Sequence, residues 1–199
     1  MPKQVDHHVR RQEIASALER VVDQLGWSQA SLREVAREAG VSLGQLQHYF
    51  SSRTTMLTFA MEHAAEQSAA RIASRLESAG QAPHPRQVLQ VLLTEMLPLR
   101  SDARAASRLN AAYVLEALHD PALRTQAGVG LREGRILVER IVRQAITDGL
   151  LASDRDPIVE TDLLLALTGF TPLLELGVIQ PAAVLAAIDS HLDRLFETS

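Results

Sequence analysis

The sequence contains no cysteine, which excludes a disulfide-bonded scaffold and any chemistry that depends on a thiol. Aromatic residues make up only 4% of the chain, and strong strand formers are therefore scarce. Alanine, leucine, arginine, glutamate and glutamine are abundant instead, and these residues favour helices. With 46% apolar residues among 199, the chain can bury a substantial core. The composition therefore predicts an all-α protein.

Long apolar runs and strong net charge are also missing. No apolar run approaches the ~18 residues of a membrane span, and the first ten residues lack the apolar region of a signal peptide. We therefore expect a soluble, cytoplasmic protein with no membrane partner. The net charge of −4 argues against a polycation that coats nucleic acid. Residues 1–55 nevertheless carry seven basic and six acidic residues, so this part is less acidic than the rest, which fits a DNA contact confined to one end.

Helical periodicity divides the chain into about nine helices, with no confident strand. The first predicted helix runs from about Asp6 to Leu25, with an apolar face of Ile14, Leu18, Val21, Val22 and Leu25. Residues 80–85 form a break rich in glycine and proline, and the glycines at 128, 130 and 134 are expected to weaken or split a later helix. Longer helices are predicted at 52–79, 86–99, 102–118, 121–148, 157–176 and 182–197.

Two short capped helices lie between residues 31 and 50. Ser31 with Glu34, and Ser42 with Gln45, have the spacing of capping boxes, in which each serine is the N-cap of a helix. Gly40 between them supplies the positive φ of a tight turn. Two such helices in close succession are typical of a helix-turn-helix.

The second helix of this motif has a buried and an exposed side. Val41 and Leu46 are predicted to point inward, and Phe50 and Trp27 to belong to the core. The outward side is then available to enter the major groove of DNA, and it carries Ser42, Gly44, Gln45, Gln47, His48 and Tyr49.

The segment REVAREAGVSLGQLQHYFSSRTTML resembles the signature of the TetR family of transcriptional regulators. The resemblance covers residues 8 to about 60, whereas the rest resembles the family only in length and helical layout. Gln47 stands where the family often has tyrosine, and Arg53 where it usually has lysine. Arginine keeps the phosphate-binding charge with a different geometry.

This resemblance implies a DNA-binding domain at 1–52, with the helix-turn-helix at 31–50, and a helical effector-binding and dimerisation domain at 53–199. It implies a ligand-responsive regulator, by default a repressor that a small, largely apolar effector releases from a palindromic operator. Phosphate contacts are implied for Ser31, Arg33, Ser42, Tyr49 and Arg53. Base or sugar contacts are implied for Leu43, Gly44, Gln45, Gln47 and His48. Because Gln45 can pair with adenine, it should specify one base pair.

The same resemblance implies a homodimer and an effector cavity. The dimer interface would be formed by the strongly apolar helices 158–176 and 182–196. The cavity would lie between residues 86 and 150, with ordinary core packing as the alternative for each lining residue. The candidate lining residues are Leu93, Met96, Leu97, Asn110, Tyr113, Val114 and Phe170.

Other functions find less support in the sequence. An all-helical scaffold protein that does not read DNA remains the alternative. Residues 40–44 match the G-x-S-x-G pattern of hydrolases, but the strand that must precede it is missing. The later glycines lack the spacing of a dinucleotide loop, and the histidines show no ligand pair at helical spacing. We therefore expect no enzyme activity, cofactor or metal site, and we interpret His7 and His8 as part of a solvated tail.

Overall fold

The computed structural model describes residues 2–78 and 83–197, and it confirms the all-α prediction. If the interrupted segment 157–175 is counted as one helix, the described residues form nine α-helices. Short 3₁₀ turns occupy Trp27–Gln29 and Leu167–Phe170. The α-helices are α1 (Pro2–Leu25), α2 (Leu32–Glu38), α3 (Leu43–Tyr49), α4 (Arg53–Glu77), α5 (Pro85–Glu95), α6 (Ser101–Ala117), α7 (Pro121–Thr147), α8 (Pro157–Ala166), α9 (Thr171–Glu175) and α10 (Pro181–Phe196).

Three sequence expectations about the helices need correction. The prediction ended the helix of α5 at residue 99, whereas it ends at Glu95, because Pro98 has no N–H to donate and disfavours helical geometry in the residue before it. The glycines of α7 neither split nor end it, since each costs only about 1 kcal/mol in an otherwise favourable helix. Leu25 is exposed at the end of α1, unlike the other four residues of its predicted apolar face. Residues 80–82 of the predicted break lie outside the described residues.

The chain forms two compact units that are not contiguous in sequence. The first unit combines the residues up to 69 with 104–127, and the second combines 70–103 with 128–199. In the first unit, side chains of α1, α3 and α4 share a core with Leu109 and Tyr113 of α6. The helix-turn-helix is therefore supported by part of α6, well beyond the boundary predicted at residue 52.

The core of the second unit is formed by α5, α7, α8 and α10. It is entirely aliphatic at its centre, where each side chain is fully buried or nearly so. The helices meet through Leu89, Leu93, Leu97, Val142, Leu164, Val184, Ile188 and Leu192.

The segment 157–175 corrects the expectation that no apolar run approaches the length of a membrane span. Its helical stretch is long and apolar enough to cross a membrane by length and composition alone, although most of it is exposed. Two carboxylates on this stretch form ion pairs: Glu160 with Arg155 (2.8 Å) and Asp162 with Arg135 (2.8 Å). Paired charges of this kind fit a face covered by protein better than one covered by lipid.

Candidate nucleic-acid interface

Serine side chains cap both helices of the helix-turn-helix, as predicted. The Oγ of Ser31 accepts a hydrogen bond from the backbone N–H of Glu34 (3.2 Å), and the Oγ of Ser42 accepts one from the N–H of Gln45 (3.1 Å). Each bond satisfies an amide at a helix start that would otherwise have no intrahelical partner. The caps therefore fix where α2 and α3 begin.

The first capping box is formed only on the serine side. The backbone N–H of Ser31 donates to the carbonyl of Gln29 (2.7 Å), so the Glu34 carboxylate is not needed there. It accepts hydrogen bonds from Arg37 instead, and this contact lowers the pKa of Glu34. Arg37 is thereby held along the surface of α2.

A tight turn and a buried contact orient α3. Gly40 has φ of 65°, a left-handed conformation that glycine adopts without strain. The N–H of Val41 donates back to the carbonyl of Ala36 (3.0 Å), which closes the end of α2. Leu46 and Phe50 are buried in the core of the unit, as the sequence predicted.

The opposite side of α3 is exposed. Ser42, Gly44, Gln45, Gln47 and His48 are all accessible, which confirms their predicted orientation. Leu43 and Tyr49 are half-buried, so they contribute less surface. The result is a short row of amide and imidazole groups on a capped helix, and such groups can hydrogen-bond to base edges.

The two arginines predicted to contact phosphate differ in environment. Arg33 is exposed on α2, and no described residue forms an ion pair or hydrogen bond with it. Arg53 instead stacks over the indole of Trp27, with its guanidinium carbon 3.6 Å from the ring centroid, and it donates to the Trp27 carbonyl. Burial lowers the pKa of Arg53. Arg33 is therefore available to a phosphate, whereas Arg53 is engaged in the fold.

Trp27 also contacts α6. Its indole N–H donates to the carboxylate of Glu116 (2.6 Å), and nearby Arg108 donates to the carboxylate of Asp23 (2.9 Å) at the end of α1. No local sequence pattern indicates these links, since they join residues more than eighty positions apart. They fasten α6 to the end of α1 and to the 3₁₀ turn that precedes α2 within the first unit.

His7 corrects the interpretation of the N-terminal residues as a solvated tail. It belongs to α1, and its ring lies 4.6 Å from that of Tyr49 and 6.1 Å from that of His48, measured between centroids. An imidazole therefore stands beside the C-terminal end of α3. Histidine is a residue type that can contact DNA, but nothing in the sequence indicates that His7 lies close to α3.

The residues predicted to line an effector cavity are divided between the two units. Leu93 and Leu97 are fully buried core residues and Phe170 packs beside them, whereas Met96 is exposed. The other three belong to the first unit, where Tyr113 is buried, Val114 is half-buried and Asn110 is exposed. Their part in effector binding stays a prediction.

One open cavity has none of these seven residues in its lining. It is a cleft of about 720 Å³ in the second unit, between the C-terminal half of α4, α5, the start of α6 and Leu185 of α10. Its size is within the range of about 300–1,000 Å³ that is usual for small-molecule sites. It carries both aliphatic and charged side chains, among them Arg75, Glu95 and Arg100.

The helices predicted to form a dimer interface expose apolar side chains. On α8, Ile158, Val159 and Leu163 are 45–51% exposed, and Leu185 of α10 is 38% exposed. Leu176 and Val178, in the turn between α9 and α10, are more exposed still. Within the described part of the chain, no group of three or more metal-ligating side chains is arranged to hold a metal ion.

Two family models together match most of the chain. The model described as bacterial regulatory proteins, tetR family, matches residues 14–58. The model described as BetI-type transcriptional repressor, C-terminal, matches residues 85–197. The first match contains the helix-turn-helix and the second contains most of the second unit.

Curated relatives agree with these matches. The HTH-type transcriptional regulator PksA of Bacillus subtilis is 34% identical over 168 residues, which is 84% of this chain and 78% of that protein. The HTH-type transcriptional regulator BetI of Ectopseudomonas mendocina is 30% identical over 124 residues, or 62% of this chain and 63% of that protein. The chain thus aligns with just under two thirds of the length of this BetI.

Solved structures show the same fold. A TetR transcription regulator from Haloarcula marismortui superposes with a TM-score of 0.79 at 17% identity, covering 96% of this chain and 100% of that one. A transcriptional regulator from Saccharomonospora viridis, solved in complex with choline, gives 0.78 at 18% identity, covering 92% and 93%. At these identities the likeness concerns the fold alone.

Proposed function

Because this chain belongs to the TetR family of transcriptional regulators, we propose that it is a homodimeric, cytoplasmic repressor that reads a palindromic operator through α3 and leaves it when a small effector binds. The family membership itself means that the chain is a DNA-binding transcriptional regulator and not an enzyme. The alternative of a scaffold protein that does not read DNA is not favoured. The operator, the residue roles and the dimer interface are the parts that we propose.

The exposed row on α3 is the observation that carries this proposal. Gln45, Gln47 and His48 face outward from a helix that Ser42 caps and Leu46 anchors. We assign the base contacts to this row, with Leu43 and Gly44 close to bases or sugars. Since α3 contains neither lysine nor arginine, an arginine-to-guanine contact is not available from it. A glutamine pair to adenine, at about 1–3 kcal/mol, is the expected source of specificity.

Phosphate anchoring is assigned to the flanks of this row. Ser31 and Ser42 lie at the starts of α2 and α3, where backbone amides favour anions. Arg33 lies in the first turn of α2 and Tyr49 at the end of α3. For Arg53 we propose a supporting part, in which it holds Trp27 in place, rather than direct contact with DNA.

The exposed apolar side chains of α8 support the proposed dimer. A symmetric dimer would bury them and would place two copies of α3 on the two half-sites of a palindrome. We expect Leu163→Glu to shift the protein from dimer to monomer in sedimentation velocity. Leu118→Glu, at a leucine that is 56% exposed on the first unit, is the matched control and should remain dimeric. Dimerisation unaffected by the first change would argue against an interface on α8.

The effector acts in this proposal by selecting one of two conformations. It must bind the form that does not fit the operator more tightly than the form that does, because equal affinity for both would release nothing. A repressor of this type is released by its effector. Tighter operator binding on addition of an effector would overturn that part of the proposal.

Selection of binding sites from random duplex DNA, at two salt concentrations, tests the function. A palindromic motif, with affinity that falls steeply as salt rises, is the expected result for a dimer anchored on phosphates. Enrichment of no motif at either concentration would contradict the proposal and would favour the scaffold alternative.

A further inference from the structure

The cleft of the second unit contains a buried carboxylate among arginines. The side chain of Glu95, at the end of α5, is only 1% exposed. Arg71 donates from Nε to its Oε1 at 2.6 Å, and the nearest guanidinium nitrogens of Arg75 and Arg100 lie 3.8 Å and 3.6 Å from its Oε2. Three arginines, two from α4 and one from the loop after α5, thus contact the Glu95 carboxylate.

The outer two arginines of this cluster face the cleft. Arg75 and Arg100 line it and are 40% and 42% exposed, whereas Arg71 is less accessible and in direct contact with Glu95. A planar guanidinium suits a carboxylate, since it can donate two parallel hydrogen bonds. The cleft therefore offers two arginine donors beside the acid.

The remainder of the lining limits the kind of molecule that fits. Val91, Leu99, Ala103 and Leu185 supply an aliphatic wall, and hydroxyl and amide groups of α4 and α5 line the other parts. No aromatic ring is among the lining residues. A quaternary ammonium ion, which is usually held by aromatic rings, would meet arginines here and is disfavoured.

We propose that this cleft is the effector site and that it binds a small organic acid, with the carboxylate on Arg75 and Arg100 and an aliphatic body along the apolar wall. This inference deepens the proposed function, since it names the effector's chemical class, and as an effector site it rests on that function. The carboxylate of Glu95 competes with the bound acid for these arginines.

The position of Arg75 suggests how occupancy could act on the protein. Arg75 lies in the last turns of α4, and the first residue of the same helix, Arg53, follows α3 closely in the chain and stacks on Trp27. A ligand that draws Arg75 toward its carboxylate therefore acts on a continuous helix that begins at the helix-turn-helix.

Isothermal titration of the full-length protein tests the site directly. The probes are butyrate, octanoate and decanoate, with 1-octanol and choline as comparison compounds. We expect at least one of the three acids to bind with one site per chain, and 1-octanol and choline to bind at least tenfold more weakly. Absence of binding by all three acids, or equal binding of octanoate and 1-octanol, would overturn the assignment.

Variants locate the bound acid. Arg75→Gln should weaken its binding about tenfold or more, because a charged hydrogen bond is removed, and Arg75→Lys should restore part of the affinity. Glu95→Gln removes the competing carboxylate, so the folded variant should bind the acid at least as tightly as the parent. Arg86→Gln is the matched control, because Arg86 forms an ion pair with Asp193 (2.5 Å) outside the cleft lining. Equal weakening in the Arg75 and Arg86 variants would place the acid elsewhere and refute the site.

Operator DNA separates this inference from the proposed function. If an acid binds at the cleft but no DNA motif is selected, the ligand site is supported and the proposed repressor function is refuted. If a DNA motif is selected but no bound acid affects the protein–DNA complex, the cleft is not the effector site. The proposal that the protein reads DNA is then still supported. Both proposals are supported if an acid releases the parent protein from the operator and tenfold more acid is needed to release the Arg75→Gln variant.

Discussion

The hydrogen bond between Trp27 and Glu116 gives a direct test of the first compact unit. Its donor is the indole N–H and its acceptor a carboxylate 2.6 Å away, in a half-buried setting. Hydrogen bonds to charged groups contribute about 1.5–3 kcal/mol. After allowance for partial exposure and for the better helix propensity of alanine, we expect Glu116→Ala to lower the free energy of unfolding by about 1–2 kcal/mol.

Urea unfolding followed by tryptophan fluorescence measures this effect where it occurs. Trp27 is the single tryptophan of the chain, so its emission reports on the first unit alone. With a urea slope of about 2 kcal/mol per molar, the expected destabilisation shifts the midpoint by about 0.5–1 M. Glu62→Ala, which removes an exposed acceptor of Gln126 (3.1 Å), is the control and should change stability by less than about 0.5 kcal/mol.

A double-mutant cycle isolates the bond itself. Trp27→Phe keeps an aromatic ring near Arg53 but removes the N–H, and its unfolding is followed by circular dichroism. If the bond contributes as argued, Glu116→Ala in that background should cost at least about 1 kcal/mol less than in the parent. A coupling energy near zero would refute the claim that this bond fastens α6 to the 3₁₀ turn that precedes α2.

Two further predictions concern the turn and the pH dependence. Gly40→Ala should lower stability by about 1–2 kcal/mol in thermal or urea unfolding, because alanine is strained at φ 65° although its methyl group would meet no atom within 4 Å; an unchanged or raised midpoint would contradict this. Burial lowers the pKa of His191 below its usual 6.5, against the opposing effect of Glu160. The unfolded chain therefore takes up the proton first, and stability should fall as pH drops below about 6.5. The urea midpoints at pH 7.5 and 5.5 measure this fall, which His191→Gln should make smaller; an equal fall in that variant would assign it to other groups.

The helix-turn-helix could be predicted because its signals are local. Ser31 and Ser42 lie three residues before the amides that they cap, and Gly40 marks a conformation that few other residues adopt. The apolar spacing around Leu46 then determines which side of α3 is exposed. Each of these features is fixed by residues within one or two helical turns, so the sequence alone was sufficient for fold, motif and orientation.

Contacts between distant segments could not be predicted in this way. Trp27 meets Glu116 across 89 residues, and Glu95 meets Arg71 across 24; no local spacing encodes either pair. The candidate effector residues rest on the family resemblance and include polar Asn110 as well as apolar positions. Leu93 and Leu97 among them lie in the core, because apolar character serves packing as well as ligand binding. The cleft is instead distinguished by charged residues. Its arginines lie far from Glu95 or from each other in the sequence and come together only when the helices pack.

Base-pair specificity measured for two matched variants tests the central claim most directly. Binding-site selection should be repeated with Gln45→Ala and Arg33→Gln beside the parent protein. We expect Gln45→Ala to lose preference at one base pair of each half-site and to retain the rest of the motif. Arg33→Gln should keep the motif and bind all sequences more weakly, and its salt slope should fall by about 1 for each phosphate that is no longer neutralised. Uniform weakening by Gln45→Ala with an unchanged motif would show that α3 does not read bases through this residue and would contradict the account.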